Sequence, residues 1–335
     1  MAKSWTASEI ALVNGSTGDP GLFIDYPGRD DAILFDAGDN ARLDADRLGD
    51  LGAVFITHHH VDHFIGLDRI VRANLDRDKT LRIYGPTGTI RRVFDRIKSY
   101  LYPDFGSMKL VLELHDVEAG QIKAATFGDW KRFPEPEPTL IEWEGPTLLE
   151  IPEYRVEAAF ADHTVPCLAF ALVEMSGFHP DRARMQSGPL RPGPWVGRVL
   201  AGLRAEEPAD TPIEIDGGRW TLGDLAARYF GRTPGARIAY ITDTWMSPIV
   251  RPDLLRLAHK ATRLYCDAYY ASKHLKQAEK YRHMTAAGAA ELARDARAES
   301  LVLIHFAARY QGAYETLLDE ARAIYPAASA EIPAR

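Results

Sequence analysis

Phe55-Ile56-Thr57-His58-His59-His60-Val61-Asp62-His63 is the stretch on which the reading of this chain turns. The apolar run 51–56 reads as a short buried strand, and Phe64-Ile65-Gly66-Leu67 resumes as an apolar helix start. A strand end gives side chains a rigid base from which to face a solvent-filled site. Imidazole and carboxylate at this density suit zinc, or Mn2+ or Fe2+, bound through nitrogen and oxygen. His58 and His60, two apart, fall on one side of an extended or turning segment. Asp62 and His63, after the turn, face a second ion about 3.5–4 Å from the first. The layout is that of a two-metal hydrolytic centre; the alternative is a solvated polar loop with an accidental run of histidines.

Composition sets the frame. The chain has 335 residues, 46% apolar and 26% charged, which is the profile of a globular protein with a sizeable core. No run of 18 apolar residues occurs, so no membrane span is expected, and residues 1–5 carry no signal-peptide core. Cys167 and Cys266 are too few for a disulfide framework and read as buried free thiols in a reducing cytoplasm. A formal charge of −7 gives no global basic footprint, so nucleic-acid binding needs a local patch.

Residues 8–36 alternate short apolar runs with turns at Asn14-Gly15 and Pro27-Gly28, the pattern of a strand meander. Phe35-Asp36-Ala37-Gly38 ends a strand in an acidic turn. Segments 41–51, 67–75 and 87–102 read as helices, and 81–86, 110–114 and 140–143 as strands. Pro134-Glu135-Pro136-Glu137-Pro138 is a rigid polar connector. Strands recurring on both sides of helical segments fit an α/β fold of the αββα type, two sheets face to face with helices outside.

Three later strands also end in metal-ligating residues. The run 156–160 leads into His163, 237–241 into Asp243, and 301–304 into His305. His163 is placed to join His58 and His60 on one metal, and His305 to join Asp62 and His63 on the other. A carboxylate bridges two ions where a neutral imidazole does not, so Asp243 is the shared ligand. A water between two such ions has a lowered pKa and serves as the nucleophile.

Thr57-His58-x-His60-x-Asp62-His63, continued by Phe64-Ile65-Gly66-Leu67, resembles the signature of the metallo-β-lactamase superfamily. That resemblance implies an αββα metallo-β-lactamase sandwich with two Zn2+ per subunit, and an acidic turn at Asp36 supporting the ligand loop. Other stretches resemble its ribonuclease Z branch: His163-Thr164-Val165-Pro166, Arg191-Pro192-Gly193-Pro194-Trp195-Val196-Gly197-Arg198, His283-Met284-Thr285 and His305-Phe306-Ala307-Ala308-Arg309-Tyr310. The similarity spans about residues 30–325. Trp245-Met246-Ser247-Pro248 stands where Arg-Pro is usual, and Cys266-Asp267-Ala268-Tyr269-Tyr270 carries a shorter acid than the family element.

The branch resemblance implies a zinc-dependent endoribonuclease that removes the 3′ trailer of precursor tRNA. It implies a cytoplasmic homodimer and one domain over 1–335, with a small protruding arm inserted at about 177–206. His283 would then protonate the leaving 3′ oxygen, oriented by Asp267, while Asp62 also helps position the water. Arg191, Gly193, Pro194, Arg198 and Arg309 would bind substrate. The alternative is a ribonuclease Z-like hydrolase of a small phosphodiester, sulfate ester, lactone or β-lactam. Within 177–204, Arg182, Arg184, Arg191, Arg198 and Arg204 face Asp181 as the sole acid, so the arm reads as an RNA-holding segment, with Trp195 and Phe178 stacking on bases or packing the arm.

Overall fold

The computed structural model describes residues 9–26, 31–102, 108–175, 177–233 and 235–332; the turn signal at Pro27-Gly28 lies outside them. The meander is formed by β1 (Glu9–Leu12), β2 (Leu22–Asp25) and β3 (Ala32–Phe35), each antiparallel to the next. From β3 the sheet continues in parallel through β4 (Leu51–Phe55), β5 (Thr80–Pro86) and β6 (Val111–Glu118). Antiparallel β7 (Gln121–Phe127) and β8 (Thr139–Glu142) complete it. Strand β3 is buried throughout, as a parallel strand covered on both faces must be. The outer face is covered by α1 (Ala45–Gly49), α2 (Val61–Phe64), α3 (Leu67–Asn74) and α4 (Thr89–Lys98). Helix α4 turns Ile90, Val93, Phe94 and Ile97 inward, the apolar stripe of an amphipathic helix.

The second sheet starts with β9 (Thr147–Glu150), β10 (Tyr154–Ala161) and β11 (Cys167–Glu174). The chain then leaves the sandwich through β12 (Gly177–Pro180), α5 (Arg182–Ser187), α6 (Pro194–Arg204), β13 (Pro212–Ile215), β14 (Gly218–Thr221), α7 (Leu222–Tyr229) and β15 (Phe230–Thr233). It returns as β16 (Arg237–Ile241), α8 (Arg251–Ala258), β17 (Arg263–Asp267), α9 (Leu275–Tyr281), α10 (Ala286–Ala296), β18 (Leu301–Ile304), α11 (Glu315–Arg322) and β19 (Ala328–Ser329). The sheet order is β19-β18-β17-β16-β11-β10-β9, with β16 to β19 parallel. Alanines 286, 289, 290 and 293 let α10 lie close on this sheet.

Between the sheets lies an aromatic core. Phe35 of β3 meets Phe170 of β11 at 5.6 Å and Tyr240 of β16 at 5.8 Å, and Phe55 stacks on Tyr84 at 4.9 Å. Apolar side chains lie between the sheets and on both outer faces, giving the αββα order.

Several sequence expectations need correction. The helix expected over 41–51 is confined to α1, because Asp44 caps it by accepting from the Arg47 N–H at 2.9 Å and Leu51 already belongs to β4. The helix expected over 87–102 covers only Thr89–Lys98, after Gly88 turns at φ 91°. The excursion is not limited to 177–206 but closes only at Thr233, where β15 pairs with β12. The added part supplies Ile213, Leu222, Leu225, Tyr229 and Phe230 to a separate apolar core with Val199 and Leu200 of α6. Trp195 packs into that core against Tyr229 at 5.2 Å rather than facing solvent. Over 177–233 there are eight arginines and seven acids, so the whole unit is nearly charge-balanced. Arg184 pairs with Asp181 at 3.2 Å and Arg198 with Glu207 at 2.7 Å; the side chains of Arg182 and Arg204 lie outside the description.

Candidate metal centre

Every element of the centre sits at the end of a strand. His58, His60, Asp62 and His63 follow β4 and run into α2; Asp36 follows β3; His163 occupies the β10–β11 turn; Asp243, Asp267 and His305 lie at the ends of β16, β17 and β18. Asp36, Asp243 and His305 adopt left-handed backbone at φ 59°, 48° and 59°. Non-glycine residues are uncommon there, and such a conformation costs on the order of 1–3 kcal/mol unless the surroundings enforce it. Here it turns each side chain from the strand direction into one shared space.

Four groups of potential ligands converge, two of them the sets expected from the sequence. His58, His60 and His163 converge, with ring centroids 4.5 to 5.1 Å apart. Asp62, His63 and His305 form the second set, His305 Nε2 lying 3.3 Å from Asp62 Oδ2. Asp243 stands between them: its Oδ2 is 2.5 Å from His63 Nε2 and 3.6 Å from His58 Nε2, and its Oδ1 is 2.8 Å from His305 Nδ1. These approaches are close but lack hydrogen-bond geometry. His58 Nε2, His63 Nε2, His305 Nδ1 and both Asp243 oxygens are buried with no hydrogen-bond partner. Buried polar atoms rarely stay unpaired, and this set of imidazole nitrogens around one carboxylate fits divalent cations.

Charge follows from burial. Desolvation, aided by the nearby His63, pushes the His58 imidazole down to about 2, so it is the neutral, ligand form. Burial acts to raise the Asp62 carboxyl, but the hydrogen bond and charge of His305, with His63, hold it at about 2.

A second layer orients the first. Asp36 is fully buried and accepts from the Thr57 N–H at 2.7 Å, the Thr57 hydroxyl at 2.9 Å, His63 Nδ1 at 2.8 Å and the Tyr240 hydroxyl at 3.1 Å. That fixes the His63 ring so that Nε2 faces Asp243. The backbone around Asp36 clamps the ligand loop as well: Ala37 N–H donates to His63 O at 2.9 Å, and Gly66 N–H to Ala37 O at 2.8 Å. A Cβ on Gly66 would lie 2.2 Å from Gly38 O, so the approach requires glycine. His163 Nδ1 donates to Arg282 O at 3.1 Å, leaving Nε2 for the centre.

His283 lies beside the two groups. Its Nδ1 is 3.2 Å from Asp267 Oδ2 and 2.9 Å from Asp243 Oδ1, and its ring stacks on Tyr269 at 4.2 Å. Asp267 is completely buried and also accepts from the Met284 and Tyr269 N–H groups, both at 3.0 Å. Burial opposes protonation of His283, yet Asp267 and Asp243 together raise it to about 9. His283 does not open α10; it precedes the Thr285 cap by two residues, and α10 starts at Ala286. Arg309 is exposed and lies over the Tyr270 ring at 5.3 Å. Arg191, Gly193, Pro194 and Arg198 belong to the inserted unit and contribute nothing to the cluster of ligating groups.

Sequence reasoning missed Thr57, Tyr240, Tyr269 and Arg282, whose roles come from packing. Of these only Thr57, flanking the histidines, carried any signal. His59 turns away from the cluster: Nε2 meets Thr89 Oγ1 at 2.8 Å and the ring meets Phe64 edge-on.

Two sheets delivering two histidine-aspartate groups to one edge define the class: a metal-dependent hydrolase of the metallo-β-lactamase fold. The metallo-β-lactamase superfamily profile matches residues 22–77. A metallo-β-lactamase fold protein of Bacillus subtilis superposes with a TM-score of 0.54 at 14% identity, covering 96% of this chain and 94% of that one. The short form of human tRNase Z superposes at 0.50 and 18% identity, covering 91% and 92%. In sequence, ribonuclease Z of Deinococcus radiodurans is 31% identical over 306 residues, 88% of either chain. Ribonuclease Z of Methanosarcina acetivorans is 27% identical over 302 residues, covering 88% and 84%. The chain belongs to the ribonuclease Z family. Among the described residues no helix is long and apolar enough to cross a membrane.

Proposed function

We propose that this chain is a zinc-dependent endoribonuclease that cuts the 3′ trailer from precursor tRNA. The observation that carries the reading is the pair of ligand groups sharing Asp243 with the His283–Asp267 couple beside them. His58, His60 and His163 would hold one ion, and Asp62, His63 and His305 the second, with Asp243 common to both. Zinc bound there supplies Lewis acidity, polarising a phosphoryl oxygen and acidifying a water. Asp62 accepts a hydrogen bond and helps orient the attacking water. Asp267 holds Nδ1 of His283, so Nε2 is the atom that delivers a proton to the leaving 3′ oxygen. Water adds to phosphorus and the P–O3′ bond breaks, leaving a 3′ hydroxyl on the tRNA and a 5′ phosphate on the trailer. One catalytic domain over the whole chain, with the inserted unit and Arg309 contacting RNA, and a cytoplasmic homodimer belong to the same reading.

The test is incubation of zinc-loaded protein with a 3′-extended precursor tRNA, beside bis(p-nitrophenyl) phosphate, a lactone and a β-lactam. Cleavage after the discriminator base is expected, falling by about 10²–10⁴ in the His283→Ala variant with bound zinc unchanged. Turnover of a small ester with the precursor left intact would overturn the tRNA reading and favour a small-ester hydrolase.

A further inference from the structure

The inserted unit is nearly charge-balanced, and the protein as a whole is acidic, yet an RNA backbone is held chiefly by cations. Beside the centre, segment 272–282 carries Lys273, Lys276, Lys280 and Arg282 against the single acid Glu279. All three lysines are exposed, and none forms an ion pair among the described residues. Elsewhere cations such as Arg96, Lys98, Lys123 and Arg237 are held by carboxylates. Within α9 only Ala278 is buried, and Lys280 lies over the ring of its neighbour Tyr281 at 5.0 Å.

The strip is joined firmly to the reacting centre. Arg282 ends α9 in left-handed backbone at φ 58°, and the His283 N–H donates back to Ala278 O at 2.9 Å, a Schellman-type cap. The Arg282 carbonyl accepts from His163 and its guanidinium pairs with Asp162 at 3.2 Å. The helix therefore cannot shift without moving His163 and His283. From Lys276 to Lys280 the helical rise is about 6 Å, and Lys273 extends the strip from the turn that precedes α9. On the other flank, Arg309 lies over Tyr270, Tyr270 meets Tyr269 at 5.0 Å, and Tyr269 stacks on His283.

We propose that Lys273, Lys276 and Lys280 bind backbone phosphates of the RNA strand on the leaving-oxygen side of the cut. The inference rests on the precursor-tRNA reading above and names a surface that the resemblance to the family does not assign. It places an electrostatic grip on the body of the enzyme, with Lys280 three residues from the proton donor, beside any contact the arm makes.

The experiment measures binding of fluorescently labelled, 3′-extended precursor tRNA to zinc-loaded protein by anisotropy, at salt from about 50 to about 200 mM. Melting temperature and bound zinc are checked for each variant. For Lys273→Gln/Lys276→Gln/Lys280→Gln, the slope of log K against log salt should fall in magnitude by about 2–3, with affinity at physiological salt at least tenfold weaker. If the triple variant is unstable, Lys276→Gln alone should lower the slope by about 0.7–0.9. A slope and an affinity within error of wild type would mean a merely solvated helix and overturn the proposal. Wild-type protein that binds the precursor without cutting it would sink the proposed function while the slopes still decide the strip; wild type that does not bind RNA would sink both.

Discussion

Asp36 shows what one turn residue can carry. In sequence it is equally an ordinary acid-glycine turn, because no spacing distinguishes a turn that bends outward from one that folds beneath its neighbours. In the structure the left-handed backbone points its carboxylate inward, where four donors converge on it, His63 among them. The convergence of these side chains was legible because each strand end advertises its histidine or aspartate. The residues that aim them were not: Tyr240 is one apolar-strand residue among several, and Arg282 acts through its carbonyl. Asp36→Asn keeps the shape but can no longer accept from every donor, and it sets an amide N–H2 against Tyr240 or the His63 Nδ1–H. Supporting partners of this type typically contribute 10- to 100-fold to metal affinity. Zinc affinity measured by competition with a chelating dye should weaken by that factor while far-UV circular dichroism stays unchanged. Wild-type affinity in the variant would mean that His63 needs no orientation by Asp36.

At the scale of elements, the sandwich followed from its strands and the inserted unit did not. The first sheet alternates turn residues with apolar runs whose burial is local, so strand positions held to within a few residues. The limit of 206 failed because the unit's core is non-local: Tyr229 and Phe230 pack on Trp195, more than thirty residues earlier. Composition alone suggested a basic arm only because the acids that balance it lie beyond the presumed end, Glu207 among them. An element with its own core is separable. Its ends lie close together at the neck, where the Glu174 N–H donates to Ala236 O at 2.8 Å. Replacing 177–233 by a short Gly-Ser linker should therefore leave the melting temperature within a few degrees of wild type. Precursor-tRNA cleavage should drop sharply, while turnover of bis(p-nitrophenyl) phosphate persists. Undiminished tRNA cleavage would remove the unit from substrate binding.

Across the whole molecule the proposed metal centre would work as a staple as well as a site. His58, His60, Asp62 and His63 come from the first sheet, and His163, Asp243 and His305 from the second, so cations held among them tie both halves at one edge. Without such ions the same edge concentrates buried, unpaired nitrogen and oxygen atoms, which weakens the native state. Ligands that bind only the folded chain stabilise it by about 4 kcal/mol per site at a thousandfold excess over Kd. In a chain of this length each kcal/mol moves the melting temperature by about 2 °C. Two sites of that strength predict a fall of roughly 16 °C after dialysis against a chelator, reversed by added zinc. Hydrogen exchange should locate the loss at the ends of β4, β16 and β18, with the aromatic core between the sheets and the separate core of the inserted unit still protected. A chelated protein that melts at the wild-type temperature would show that the sandwich holds this edge together without its metals, and that the strained residues at 36, 243 and 305 are enforced by packing alone.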